Sequence, residues 1–124
     1  FHPFSKNHRF VWADLDNDAS LDFIFADGDM LEVYNAEKEA LFKLKMDSTI
    51  TDGPHVYNFS NESKIGVTLA KSDEIVLVNK NGIIGENFPM HGQSAFSIAD
   101  INKDGVFELV VIGKGGIIYT YVIE

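Results

Sequence analysis

Cysteine is absent from the 124 residues, which excludes disulfide staples and thiolate metal sites and leaves the redox compartment open. Arginine occurs once, at Arg9, and 10 Lys and Arg face 19 Asp and Glu, a formal charge of -9. A surface of that sign repels nucleic acid and anionic membranes, so neither is an expected partner, whereas a cation is. No apolar run approaches the roughly 18 residues of a membrane-spanning helix, so insertion into a bilayer is not expected. Also missing are a G-x-S-x-G elbow, a nucleotide-binding glycine fingerprint and an H-E-x-x-H helix. His2, His8, His55 and His91 are dispersed without ligand spacing. No catalytic residue and no organic cofactor site is therefore assigned. The chain opens FHPFSKNHRF, with neither an initiator Met nor a signal-peptide pattern, and reads as a processed or excised piece, any targeting segment being expected upstream.

What is present is ordinary globular composition, 45% hydrophobic and 23% charged, at a length suited to one domain with a modest core. A repeat organises it. Phe10 to Asp14 aligns with His55 to Asn58 and with Phe96 to Asp100, so the anchors Asp14, Asn58 and Asp100 lie 44 and 42 residues apart. The segments LDFIFADGDMLEVYN from Leu21, IGVTLAKSDEIVLVN from Ile65 and FELVVIGKGGIIYTY from Phe107 then run in parallel without a gap. Each pairs two short runs rich in Val, Ile and aromatics across a Gly, Ser or Asp cluster, the pattern of a hairpin. Lys114 to Gly116 is read as such a hairpin turn.

In the first two copies a polar turn, Asn35 to Lys38 or Asn79 to Gly82, leads to a weaker segment ending near Met46 or Met90, a fourth, outer strand. Pro3 lies 86 residues before Pro89, which casts Phe1 to Phe4 as a further outer strand. Only Asn35 to Lys45 has a helical composition. The expected fold is all-β, with about three four-stranded units in repeats 9–50, 51–94 and 95–124 and residues 1–8 as an outer strand. Four strands at this period fit a β-propeller blade, although the same alternation fits a sandwich or a meander barrel. Three blades leave two open faces, so completion by self-association or by a missing N-terminal part is expected.

Two loops concentrate oxygen ligands. Asp14-Leu-Asp16-Asn-Asp18-Ala-Ser-Leu-Asp22 and Asp100-Ile-Asn102-Lys-Asp104-Gly-Val-Phe-Glu108 place them at positions 1, 3, 5 and 9. Calcium takes six to eight hard oxygen ligands, and a tight turn with alternate carboxylates can aim several at one point. Mutual repulsion would loosen such a loop without its ion, linking metal binding to local folding. Gly105 at position 6 suits the turn, whereas Ala19 there must accept strain or turn differently, so the third loop is expected to have the better geometry. An EF-hand would need Glu at position 12, where Phe25 and Val111 stand. The second copy, Asn58 to Glu62 with Gly66 at position 9, keeps one carboxylate and is not expected to hold an ion. Simple turn preference for Asp, Asn and Gly is the competing reading of these loops.

The segments ADINKDGVFELVV and ADLDNDASLDFIF resemble the FG-GAP/VCBS repeat family, the first nearly throughout and the second except at the Gly. That resemblance implies calcium-binding, integrin-alpha-like propeller blades, with calcium held by Asp14, Asp16, Asp18 and Asp22 and by Asp100, Asn102, Asp104 and Glu108. It implies a secreted, periplasmic or cell-surface setting and a noncatalytic module that binds a glycan or protein ligand or acts as scaffold. The remaining blades of a larger propeller or a second copy of the chain would be its partner. A fragment of a calcium-dependent carbohydrate-active enzyme such as a polysaccharide lyase is the alternative, against which the single arginine counts. Phe10, Trp12, Phe23, Phe25, Phe96 and Phe107 are expected to fill the core between units, and Trp12 is the one whose exposure would point to a sugar platform.

Overall fold

A computed structural model describes residues 4–6, 8–15, 17–59 and 62–123, the side chains of Phe59 and Ser72 excepted. It is all-β, in three antiparallel sheets built in chain order. The first sheet contains β1 (Arg9–Ala13), β2 (Asp22–Asp27), β3 (Met30–Tyr34) and β4 (Ala40–Lys45). The second contains β5 (Ile50–Phe59), β6 (Glu62–Leu69), β7 (Glu74–Asn79) and β8 (Met90–His91), and the third β9 (Ser97–Ala99), β10 (Phe107–Ile112) and β11 (Ile118–Ile123). Strands are adjacent in the order in which they occur along the chain, because every link is a hairpin too short to cross a sheet.

The helical composition of Asn35 to Lys45 yields to tertiary packing. β4 alternates in exposure, and its Phe42 and Leu44 pack against the core between the first and second sheets. Of the proposed N-terminal outer strand, residues 1–3 and 7 lie outside the described residues, while Phe4, Ser5, Lys6 and His8 belong to no strand. Phe4 instead stacks flat on Phe25, with centroids 4.3 Å apart.

Two cores lie between the sheets. Ile24 and Ala26 of β2 face Val33 and Leu31 of β3 and share one face of the first sheet. They pack with Ile65, Val67, Val76 and Val78, which share one face of the second. From the opposite face of the second sheet, Ile75 and Leu77 meet Leu109, Val111 and Ile123 of the third. β6 and β7 are thus buried on both sides, which explains their nearly unbroken apolar runs. Thr68, also buried, donates to the Ser94 carbonyl at 2.9 Å, and this ties the second sheet to the segment entering the third.

The hairpin connections differ from the ungapped alignment. β2 and β3 turn through two residues, with Asp27 opposite Met30, whereas Ile112 pairs with Ile118 across five. The short 3-10 turn at Lys114–Gly116 occupies that longer link. β11 is consequently displaced by one residue, so Ile118 and Thr120, rather than Ile117 and Tyr119, take the places of Leu31 and Val33.

Candidate metal centre

β1 and β2 hold the first acidic loop, and β9 and β10 hold the third. In both, the residue before position 1 pairs across the sheet with position 9, Ala13 with Asp22 and Ala99 with Glu108. The loops therefore close over the same span of ladder, and their turns are built alike. Asp14 accepts backbone N–H bonds from Asp18 at 3.1 Å and Ala19 at 2.8 Å, while Asp100 accepts from Asp104 at 3.0 Å and Gly105 at 2.8 Å. Asp18 accepts from Ser20 N, and Asp104 from Val106 N, each at 2.9 Å. The position-1 carboxylate thus organises the turn by bonding its own backbone, as Asp does readily.

Positions 4 and 6 are left-handed in each loop, Asn17 at φ 60° and Ala19 at φ 68°, Lys103 at φ 59° and Gly105 at φ 86°. Ala19 therefore accepts the strain and keeps the turn. A Cβ at Gly105 would meet nothing within 4 Å, so its value is purely conformational. Ala19→Gly is expected to raise stability by about 1 kcal/mol and Gly105→Ala to lower it by a similar amount. Urea unfolding in chelator measures both, since it separates backbone strain from ion binding.

The position-9 carboxylates behave differently. Asp22 is 1% exposed, and its Oδ2 accepts the Leu15 N–H at 3.0 Å. In the third loop one carboxylate oxygen each from Asp100, Asp104 and Glu108 lie within 4.8 Å of one another. Glu108 Oε2 is buried and has no hydrogen-bond partner. A buried carboxylate oxygen without a donor is costly, and a cation at the centre of the triad would satisfy it. The hard, all-oxygen donor set fits such an ion. Asn102 stands exposed within the same loop.

Of the residues expected to bind metal, Asp100, Asp104 and Glu108 converge. Asp14 is partly buried, Asp18 exposed and Asp22 buried. Asp16 lies outside the described residues. Among the described residues the first loop brings no three carboxylates as close together as the third does. The second copy has lost the loop altogether: β5 and β6 continue until Phe59 pairs with Glu62, leaving only residues 60 and 61 between them. Its remaining carboxylate, Glu62, sits in a strand.

Comparison with protein-family models, curated proteins and solved structures gives no match.

Sequence reasoning missed how the aromatic residues divide. Phe25 and Phe96 are buried and Phe23 and Phe107 partly so, whereas Phe10 is 47% and Trp12 58% exposed. Both exposed rings lie on the outer face of the first sheet, Phe10 opposite Phe25 and Trp12 opposite Phe23. That face also carries Glu32, buried at the residue level, which accepts from Tyr34 Oη at 2.6 Å and lies 3.8 Å from Lys43 Nζ. Burial, reinforced by the hydrogen bond and negative charge of Glu32, pushes the Tyr34 phenol up to about 12. Between the second and third sheets, burial and the charge of Asp52 raise Tyr57 well above the usual phenol range.

Proposed function

We propose that this chain is a noncatalytic calcium-binding module of propeller-type blades in a secreted or cell-surface protein, serving as scaffold or as the platform for a glycan or protein ligand. The observation that carries the reading is the third loop: three carboxylates around one point, with Glu108 Oε2 buried and unpaired. The same backbone turn in the first loop supports a repeated loop design. Three meanders stacked in chain order favour the blade reading over a closed meander barrel. An extracellular setting suits this reading, since millimolar calcium outside the cytosol would fill sites of only moderate strength.

Calorimetric titration of the chelator-treated chain with calcium tests the assignment. Saturable binding is expected with a dissociation constant of roughly 10⁻⁵ to 10⁻³ M, at least tenfold weaker in Asp104→Asn and in Glu108→Gln. Magnesium should bind less well, because it demands a tighter octahedron and sheds water reluctantly. The absence of any calcium binding at millimolar concentration by the folded chain would overturn the proposal.

A further inference from the structure

The two cores within the chain repeat one kind of contact. Each sheet has a forward face, which packs on the sheet that follows, and a rear face, which packs on the sheet before. The forward face of the first sheet presents Ile24, Ala26, Leu31 and Val33, with Leu15 of the loop beside them, all buried against the second sheet. The forward face of the second sheet, which includes Ile75 and Leu77, is likewise buried against the rear of the third. The contact is directional, forward on rear, and occurs twice in the same sense.

Both ends of that stack leave apolar side chains exposed, although the centre of the rear end is already covered: Phe25, Glu32 and Tyr34 are at most 7% exposed, and Phe4 stacks on Phe25. Counting 86 residues from Leu15, Ile24 and Ala26 reaches Ile101, Val110 and Ile112, and Ile118 takes the place of Leu31. Leu15, Ile24, Ala26 and Leu31 are at most 4% exposed, whereas Ile101 is 61%, Ile112 50% and Ile118 67% exposed. The rear face shows the converse. Phe10 and Trp12 are equivalent to Phe96 and Ile98, and those two pack in the core between the second and third sheets. The same strand positions are therefore more buried in the third sheet, Phe96 at 5%, than in the first, Phe10 at 47% and Trp12 at 58%.

We infer that the forward face of the third sheet receives the rear face of the first sheet of a second copy, so that chains associate head to tail. The occupant follows from continuity with the internal interface: a forward face in this chain is matched twice, and each time by a rear face of the same repeat. Shape agrees, because the rear face offers exposed rings at Phe10 and Trp12, while the forward face is lower, with Ala99, Val110, Ile112, Ile118 and Val122 beside Glu108 and Thr120. An interface that joins different surfaces of identical chains either closes into a ring or keeps growing. With three sheets per chain, closure by two copies would enclose six.

Light scattering and sedimentation of the chain across a concentration series test this, using Trp12→Glu to block the rear face and Ile118→Glu to block the forward face. Both side chains are largely exposed, so unchanged circular dichroism and melting of each variant confirm that it folds. The expected result is a wild-type mass at least twice that of the monomer, with each variant alone monomeric. An equimolar mixture of the two variants should recover a dimer and go no further, since it retains one intact forward face and one intact rear face. The wild type remaining monomeric at about 1 mM would overturn the inference, as would either variant alone still associating or the mixture staying monomeric. Persistence of the same pattern in chelator separates this result from the fate of the calcium assignment. Capture of a glycan by Trp12 in a monomeric chain would likewise overturn it.

Discussion

Calcium at about a hundredfold excess over its dissociation constant should stabilise the chelator-stripped chain by about 2.7 kcal/mol. For a domain of this size that corresponds to a rise in thermal midpoint of roughly 8–12 °C. The effect arises because the unfolded chain cannot hold Asp100, Asp104 and Glu108 within 4.8 Å of one another, so the ion binds the folded state and the linkage acts in one direction. Glu108→Gln should remove most of that gain. In chelator the same substitution should raise the midpoint slightly, because it removes one of three mutually repelling charges and lets an amide replace a carboxylate oxygen that lacks a donor. The two melting series therefore cross. A Glu108→Gln chain that is destabilised equally with and without calcium would show that Glu108 acts in packing rather than in ion binding.

The second large effect concerns a glycine whose role is steric. Gly66 lies in β6 opposite His55 and Leu77, and the rings of Tyr57 and Phe96 stack over it with centroids 5.1 Å apart and an interplanar angle of 12°. A Cβ at Gly66 would stand 2.5 Å from Phe96 Cζ and 2.6 Å from Tyr57 Cε2. Neither ring can retreat freely. Phe96 is 5% exposed within the core between the second and third sheets, and Tyr57 Oη donates to the Phe96 carbonyl. Overpacking of this kind costs roughly 1–3 kcal/mol, and losing the hydrogen bond adds about 1 kcal/mol. Gly66→Ala is thus expected to lower the unfolding free energy by about 3 kcal/mol, read from the urea midpoint at unchanged slope. Adding Phe96→Leu should restore part of the loss by making room. No recovery in the double variant would place the strain in the backbone instead.

These two residues also mark how far the chain could be read before its tertiary structure. Asp100, Asp104 and Glu108 were legible because their spacing is local: a tight turn between adjacent antiparallel strands brings positions 1, 5 and 9 together. Gly66 was legible only as the ninth residue of a degenerate loop, since its actual neighbours come from another strand and another sheet. The first loop shows the same limit. Its sequence carries more carboxylates than the third, yet Asp22 is buried and accepts the Leu15 N–H, which spacing alone does not reveal.

The amino-acid sequence alone determined the all-β class, the threefold repetition, the hairpin pairing within each unit and the backbone turn shared by the loops at Asp14 and Asp100. Each of these depends on contacts among residues close in the chain, where periodicity and turn chemistry dominate. Tertiary structure alone decided that the second loop shrinks to two residues and that Phe96 is buried while Phe10 stays 47% exposed. Those outcomes depend on what each sheet packs against, and residue spacing within one strand does not say which distant element covers it.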